Sequence, residues 1–374
     1  MINVAIINPS PNAYSQTFIN AHIQNINANK FVLKNGYLPS KDHLDNDIYN
    51  PSFPVKMFHK ILTRAKIISE SELHLRKLAR YLKKNKIDVV LAEFGPTGAA
   101  VYKACEITNI PLIVHFHGAD AYWDKYLNKL KGEYRKMFKV AQYIFVVSRH
   151  MHRQLINLGA PEEKLVINTY GPADLFYDLS PSMNKLNLIS VGRFVDKKAP
   201  YLTLLAFKKV LEQFPNAHLN MVGDGPLQFL CENIVKSLKI EESVHFLGVK
   251  KPHEIASLFE DSYCYVQHSL VSYDNDTEGT PVSILEASAS GLPVISTRHA
   301  GIPDVIIHEK SGYIVEERDI ERMADYMIRL LKNHSLAKDM GSWGKENIRA
   351  NFSMTKHISL LNEILLKACH EGKK

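Results

Sequence analysis

Short aliphatic and β-branched runs recur along the chain, each followed by a stretch whose apolar residues return every three or four positions. In the first half the runs are NVAIIN (3–8), FVLKNG (31–36), DVVLAEF (88–94), PLIVHFHG (111–118), YIFVVS (143–148) and KLVINTY (164–170). Such runs predict strands, and the three-to-four spacing predicts the helices between them. A turn-rich stretch, DLSPSMNK (178–185), interrupts the alternation. It restarts with LNLISVGR (186–193), AHLNMVG (217–223), SVHFLG (243–248), YCYVQHS (263–269), LPVIST (292–297) and SGYIVE (311–316). Apolar strands alternating with helices predict parallel sheets covered on both faces. Two such series predict an α/β protein of two doubly wound domains facing a cleft, over residues 1–180 and 186–352. The last pattern, KHISLLNEILLKACHEGKK (356–374), puts Ile358, Leu361, Leu365 and Ala368 on one face of a helix that needs a surface to cover.

A length of 374 residues suits two cores rather than one. No stretch approaches the roughly 18 consecutive apolar residues of a membrane span. The first residues, MINVAIINPSPN, lack the basic segment of a signal peptide. Four cysteines lie scattered with no CxxC, which speaks against zinc ligation or a disulfide framework and predicts a reducing, cytoplasmic setting.

The net charge of +7 is uneven. Residues 1–185 hold 24 Lys/Arg against 15 Asp/Glu, and the remainder 22 against 24. The excess concentrates in LHLRKLARYLKKNK (73–86) and KYLNKLKGEYRKMFK (125–139), both helical patterns with a basic face. The first expectation for such a face is simple solvation. The second is contact with a polyanion, and without any nucleic-acid-binding signature an anionic membrane is preferred to nucleic acid.

Three loops after strands of the second half carry unusual polar residues. In VGRFVDKK (191–198), Gly192 permits a turn and Arg193 and Lys198 follow, a cationic pair suited to a diphosphate or simply two surface charges. No Walker A or GxGxxG occurs, so phosphate binding here would need side-chain cations. In VGDGP (222–226), Gly223 marks a turn first and a ligand-facing loop second. In EGTPVSILE (278–286), Pro281 is expected at the first position of a helix with Thr280 as N-cap, and the helix stops at Gly291. Glu278 then lies before the helix, at its anion-favouring end, and Glu286 lies inside it. A rise of about 1.5 Å per residue limits their separation along that path to roughly 12 Å. That suits two contacts on one extended ligand better than an acid–base pair. Asp274-Asn-Asp276 forms a DxD pattern, and His115, His117 and His299 show no metal spacing; no metal site is assigned.

These stretches resemble the family 4 glycosyltransferases, retaining enzymes of the GT-B fold. Glu278 and Glu286 match the family's E-x7-E signature, and Arg193 and Lys198 match its GR-x4-K pattern. TEGTPVSILEASASGLPVISTRHAGIPDVI resembles the family over some thirty residues, most closely the bacterial colanic-acid and amylovoran-type subgroup. HFHGADAY (115–122) resembles its His-Gly-x-Asp stretch and SQTFI (15–19) the subgroup's SETFI. The resemblance implies a metal-independent transfer of a sugar from a nucleotide-diphosphate-sugar, UDP-sugar foremost, to a glycan or lipid-linked hydroxyl. Glu278 would hold donor-sugar hydroxyls, Glu286 the ribose, and Arg193 and Lys198 the diphosphate. His117 would face the reacting sugar and Asp120 would support its loop. Gly192, Gly223 and the N–H groups of Gly279 and Thr280 would line the donor site. Ser15 and Gln16 would be acceptor-side or phosphate-side contacts, with loop capping as their equal alternative, because NPSPNAYSQTF (8–18) lacks the Gly-Gly turn of many members. The terminal helix would cross back to the first domain. The reading places the enzyme in surface polysaccharide biosynthesis, in the cytoplasm and peripherally at the inner face of the plasma membrane. A nucleotide-sugar 2-epimerase, a phosphorylase of similar architecture, or a non-catalytic nucleotide-sugar-binding protein remain alternatives.

Overall fold

All twelve apolar runs form strands in the computed structural model, which describes residues 1–10, 17–49 and 69–372. The first six are β1 (Asn3–Asn8), β2 (Asn29–Lys34), β3 (Val89–Glu93), β4 (Leu112–His115), β5 (Tyr143–Val146) and β6 (Leu165–Ile167). They make one parallel sheet in the order β2-β1-β3-β4-β5-β6. The others are β7 (Asn187–Val191), β8 (His218–Val222), β9 (Val244–Gly248), β10 (Cys264–Gln267), β11 (Val294–Thr297) and β12 (Gly312–Val315). They form a second parallel sheet, β12-β11-β10-β7-β8-β9. Read from its β9 edge, this is the 3-2-1-4-5-6 order of a doubly wound domain. The order reverses between β1 and β3 in one sheet and between β7 and β10 in the other, where loops diverge and leave a crevice beyond the strand carboxyl ends.

β3, β4, β5, β10 and β11 are buried at every residue, as expected of parallel strands covered on both faces. Of the four edge strands, β2, β6 and β9 are partly exposed and β12 is buried throughout.

The chain divides into two compact units. The first comprises Met1–Val147, Met151–Asn168 and the segment from Ile358 onward; the second comprises Ser148–His150 and Thr169–His357. The chain thus enters the second unit at Thr169, ahead of the turn-rich stretch. That stretch is fastened within the second unit: Lys345 Nζ donates to the Leu179 carbonyl at 2.6 Å and the Ser182 N–H to that of Glu260 at 3.0 Å.

The terminal helix, Met354–Glu371, has the surface its apolar face requires. Leu361, Ile364, Leu365, Ala368 and Cys369 pack in one core with Val4, Ile6, Val89, Leu91, Ile113 and Phe145 of the first sheet. Glu371 closes the contact by accepting from Tyr143 Oη and Gln142 Nε2, each at 2.8 Å. The two basic patterns form helices Glu70–Lys84 and Asp124–Val140, which bury Leu75, Leu78, Ala79 and Leu82, and Tyr134, Met137 and Phe138. Among the described residues no helix is long and apolar enough to cross a membrane.

Leu361 is fully buried and Leu366, on the same helix, is 45% exposed. Leu361→Ala is expected to lower the free energy of unfolding by about 2–5 kcal/mol, and Leu366→Ala by no more than about 0.5 kcal/mol. Urea unfolding of both variants checks this, and equal effects would contradict the docked helix.

Candidate functional site: a cation–carboxylate cluster at the switch point of the second sheet

At the carboxyl end of β7 the chain turns through Gly192 and Arg193, makes a single 3₁₀ turn over Asp196–Lys198 and, after Ala199 at φ 34°, enters helix Pro200–Leu211. Lys198 folds back over Gly192, where a Cβ would lie 2.7 Å from Lys198 Cδ. Gly223, after β8, has φ +125°, and a Cβ there would meet the Gly192 carbonyl oxygen at 2.1 Å. Position 223 therefore requires glycine and shapes the turn on which the Gly192 loop rests, whereas a side chain at 192 would displace the Lys198 stem.

The chain leaving β10 supplies the other half. Asp276 and Glu278 meet the two lysines of the β7 loop separately. Lys197 Nζ lies 2.9 Å from Asp276 Oδ1, and Lys198 Nζ 3.1 Å from Glu278 Oε1. The Lys198–Glu278 contact lies off hydrogen-bond direction, so it is an ion pair by proximity. Burial opposes the charge on Glu278, but the lysines, Lys198 first and then Lys197, overcome it and hold the carboxyl at about 2. Burial lowers Lys198 below the ordinary lysine value, with Glu278 opposing that shift. Arg193 is exposed on the same loop, and its charge also lowers Lys198.

The Asp274-Asn-Asp276 pattern is occupied within the protein. Asp276 is paired with Lys197, and Asp274 Oδ1 accepts from Ser272 Oγ at 2.5 Å. Burial raises Asp276 above the usual carboxylate range despite Lys197. Among the described residues, the one group with metal-compatible spacing is His22, Glu93 and His115, in the first unit.

Helix Val282–Ser290 follows Glu278 and ends at Gly291, which adopts φ 90°. Its start differs by one residue from the expectation. Pro281, at ψ 118°, is the boundary residue, and no side chain caps the helix. Thr280 is instead packed against the turn after β11, its Oγ1 2.3 Å from where a Cβ of Gly301 would stand. The Gly301 N–H donates to the Gly279 carbonyl at 2.9 Å. Close approach of this glycine to 279–280 thus replaces side-chain capping as what fixes the helix entry.

Glu286 lies on that helix, partly exposed, and burial pushes its carboxyl up to about 8. Between the two glutamates stands Tyr265, a residue the sequence pattern assigned only to a strand. Its hydroxyl lies 3.1 Å from the Val191 carbonyl, 2.7 Å from Gln267 Oε1 and 2.8 Å from Ser283 Oγ, joining β7, β10 and the helix. Burial raises its pKa, and both Glu278 and Glu286 add to the rise.

His117 and Asp120 stand in the first unit. Asp120 accepts from the N–H groups of Gly95 (2.9 Å), His117 (3.0 Å) and Gly118 (2.8 Å), so its carboxylate organises the loop. His117 is buried, stacks on Phe18 at 4.5 Å, and its Nε2 lies 2.8 Å from Glu93 Oε2. The other oxygen of Glu93 lies 2.7 Å from His22 Nδ1. Burial would raise Glu93, but His22 and His117 hold it at about 2. Glu93 and His22 were not singled out from the sequence, because a strand-terminal acid and a helical histidine 71 residues apart share no motif. Ser15 and Gln16 lie outside the described residues.

Two doubly wound parallel units, the second with paired lysines and carboxylates at its switch point, define a protein of the GT-B class. Residues 176–347 match the family "Glycosyl transferases group 1" and residues 50–168 match "Glycosyltransferase Family 4". The chain belongs to these glycosyltransferases. It is 30% identical to WcaL of Escherichia coli K12, a glycosyltransferase named for colanic acid biosynthesis, over 64% of this chain and 60% of that protein. It is 28% identical to AmsK of Erwinia amylovora, an amylovoran biosynthesis glycosyltransferase, over 74% of this chain and 70% of AmsK. The alignments thus span three fifths of WcaL and seven tenths of AmsK. The fold matches that of Anabaena HepE, solved in complex with UDP, with a TM-score of 0.77 at 15% identity over 98% of this chain and all of that one.

The glutamates respond oppositely to pH. A raised carboxyl pKa penalises the folded state increasingly as pH rises from the unfolded value, near 4.5, to about 8. Glu286→Gln is therefore expected to raise the melting temperature of the unliganded protein, by a margin that grows between pH 5 and 8. Glu278, held at about 2, contributes stability above pH 4.5 that is lost as pH falls toward 2. Melting curves from pH 5 to 8 test the first effect, and a margin that shrinks with rising pH would contradict it.

Proposed function

We propose that the protein is a retaining glycosyltransferase that moves a sugar from a nucleotide-diphosphate-sugar to a hydroxyl of a glycan or lipid-linked acceptor, in exopolysaccharide biosynthesis and without a metal ion. The observation that carries this reading is the Lys198–Glu278 contact at the switch point of the second sheet. It sets a cation for phosphate beside a carboxylate for sugar hydroxyls, where doubly wound folds bind ligands. The structure of HepE with UDP and glucose supports a UDP-sugar as donor, and the names of WcaL and AmsK support a polysaccharide product.

In this reading Arg193 and Lys198 bind the diphosphate, while the N-terminus of helix Val282–Ser290 adds positive potential. Gly192, Gly223, Gly279 and Thr280 let the donor approach the backbone. Glu286 accepts from the ribose hydroxyls. Glu278, ionised by its lysines, accepts from hydroxyls of the sugar and opposes the positive charge that develops on its ring. The bond from the anomeric carbon to the diphosphate oxygen breaks, and its electron pair leaves with the phosphate. The acceptor oxygen bonds to that carbon on the same face, and its proton passes to the departing phosphate oxygen. His117 faces the sugar, held by Glu93 on a loop organised by Asp120, and Ser15 and Gln16 serve the acceptor or phosphate side. With Asp276 committed to Lys197, phosphate charge falls to the cations.

Glu278→Gln is expected to lower kcat by at least ~10²-fold while UDP still binds, and Arg193→Ala to weaken donor binding. Transfer from UDP-sugars to an acceptor should persist in EDTA. Full turnover by Glu278→Gln, or activity abolished by chelator and restored by a divalent cation, would contradict the scheme. Epimerised donor or sugar phosphate as product would instead identify an epimerase or phosphorylase.

The basic faces of helices Glu70–Lys84 and Asp124–Val140 fit an acceptor embedded in an anionic membrane. Binding to phosphatidylglycerol vesicles should then weaken as salt rises, and absence of binding at low salt would mark these faces as merely solvated.

A further inference from the structure

The cluster that holds Glu278 by its side chain is continued by a second one that holds it by its main chain. The Glu278 N–H donates to His299 Nε2 at 3.1 Å. That bond requires Nε2 to be unprotonated, so the ring proton sits on Nδ1, which donates to Glu317 Oε1 at 2.7 Å. Glu317 is anchored in turn, for its Oε2 accepts from the Val271 N–H at 3.0 Å. The next residue, Arg318, has φ 70° and donates its N–H to His268 Nε2 at 2.8 Å. His299 and His268 are essentially fully buried. Three loops, following β10, β11 and β12, are thereby strapped together around the backbone of one carboxylate-bearing residue.

We infer that Glu317 and His299 are positioning residues for the sugar-side carboxylate: Glu317 fixes the His299 tautomer, and His299 fixes the Glu278 backbone. The inference rests on the donor-site reading above and adds two residues that the E-x7-E and GR-x4-K patterns do not contain. The physical consequence is selective. Phosphate and ribose contacts come from Arg193, Lys198 and Glu286; of these, Lys198 meets the strapped residue, and it does so at the Glu278 side chain and not at the backbone that His299 holds. Loosening the strap therefore removes the part of donor affinity due to the sugar and spares the part due to the nucleotide.

The test is the ratio of affinities for a nucleotide-sugar and its nucleoside diphosphate. Isothermal titration of UDP, UDP-glucose, UDP-N-acetylglucosamine, GDP and GDP-mannose first establishes which sugar wild type binds more tightly than the bare diphosphate. For that pair, His299→Ala and Glu317→Ala are expected to cut the ratio by about tenfold, the scale of one strong hydrogen bond. Diphosphate affinity should stay within about twofold. Glu317→Gln, whose amide oxygen can still accept from Nδ1, should retain most of the ratio. His299→Gln places an amide oxygen near the position of Nε2, where it can still accept from the Glu278 N–H, so its ratio should also survive. Variants that lose melting temperature but keep the ratio would reduce the strap to a stabilising role and overturn the inference. A wild type that binds no sugar nucleotide more tightly than its diphosphate would remove the donor reading, and the inference with it.

Discussion

The second unit is built around the cost of burying Lys198 beside Glu278. Withdrawing either charge from water is expensive, and attraction between the two repays it only in a fixed geometry. Much of the surrounding sequence supplies that geometry. Gly192 leaves room for the lysine stem, and Gly223 supports the Gly192 turn from below. The 3₁₀ turn over Asp196–Lys198 points consecutive lysines at different acids, so that Asp276 takes Lys197 and leaves Lys198 to Glu278. Breaking one such pair leaves its partner charged and buried, which is why these four side chains act as a set.

The pair also separates the two glutamates chemically. Glu278, surrounded by cations, is ionised across the physiological range, whereas Glu286, on the same short segment, is pushed toward the protonated form. Similar residues in unlike surroundings take unlike roles. An ionised Glu278 suits a site where positive charge develops on a sugar. In the proposed reading, a carboxyl near 8 gives up its proton as ribose hydroxyls come to donate to it. Tyr265 joins β7, β10 and the helix that carries Glu286.

Much of this was legible in the sequence. Parallel strands buried on both faces read as plain apolar runs, so all twelve were recoverable, with boundaries shifted by only a few residues at the edge strand β2. The amphipathic terminal helix announced a missing partner surface. The Lys198 and Glu278 positions were legible as motifs. What escaped were groups whose role depends on contacts distant in sequence: Lys197 with Asp276, Tyr265 with Ser283, His299 with Glu317, and Glu93 with His22 and His117. Spacing along the chain carries no trace of those pairings. The helix entry at Pro281 was misread by one residue because the turn at Gly301, not a capping side chain, determines it.

The most direct test of the account is the affinity for UDP of wild type and of Lys198→Met, which keeps the aliphatic stem and removes the charge. If Lys198 meets the diphosphate, calorimetry at pH 7.5 should show UDP bound by wild type and at least about tenfold more weakly by the variant. Equal affinity, with the variant folded, would mean that the cluster around Glu278 serves the fold alone.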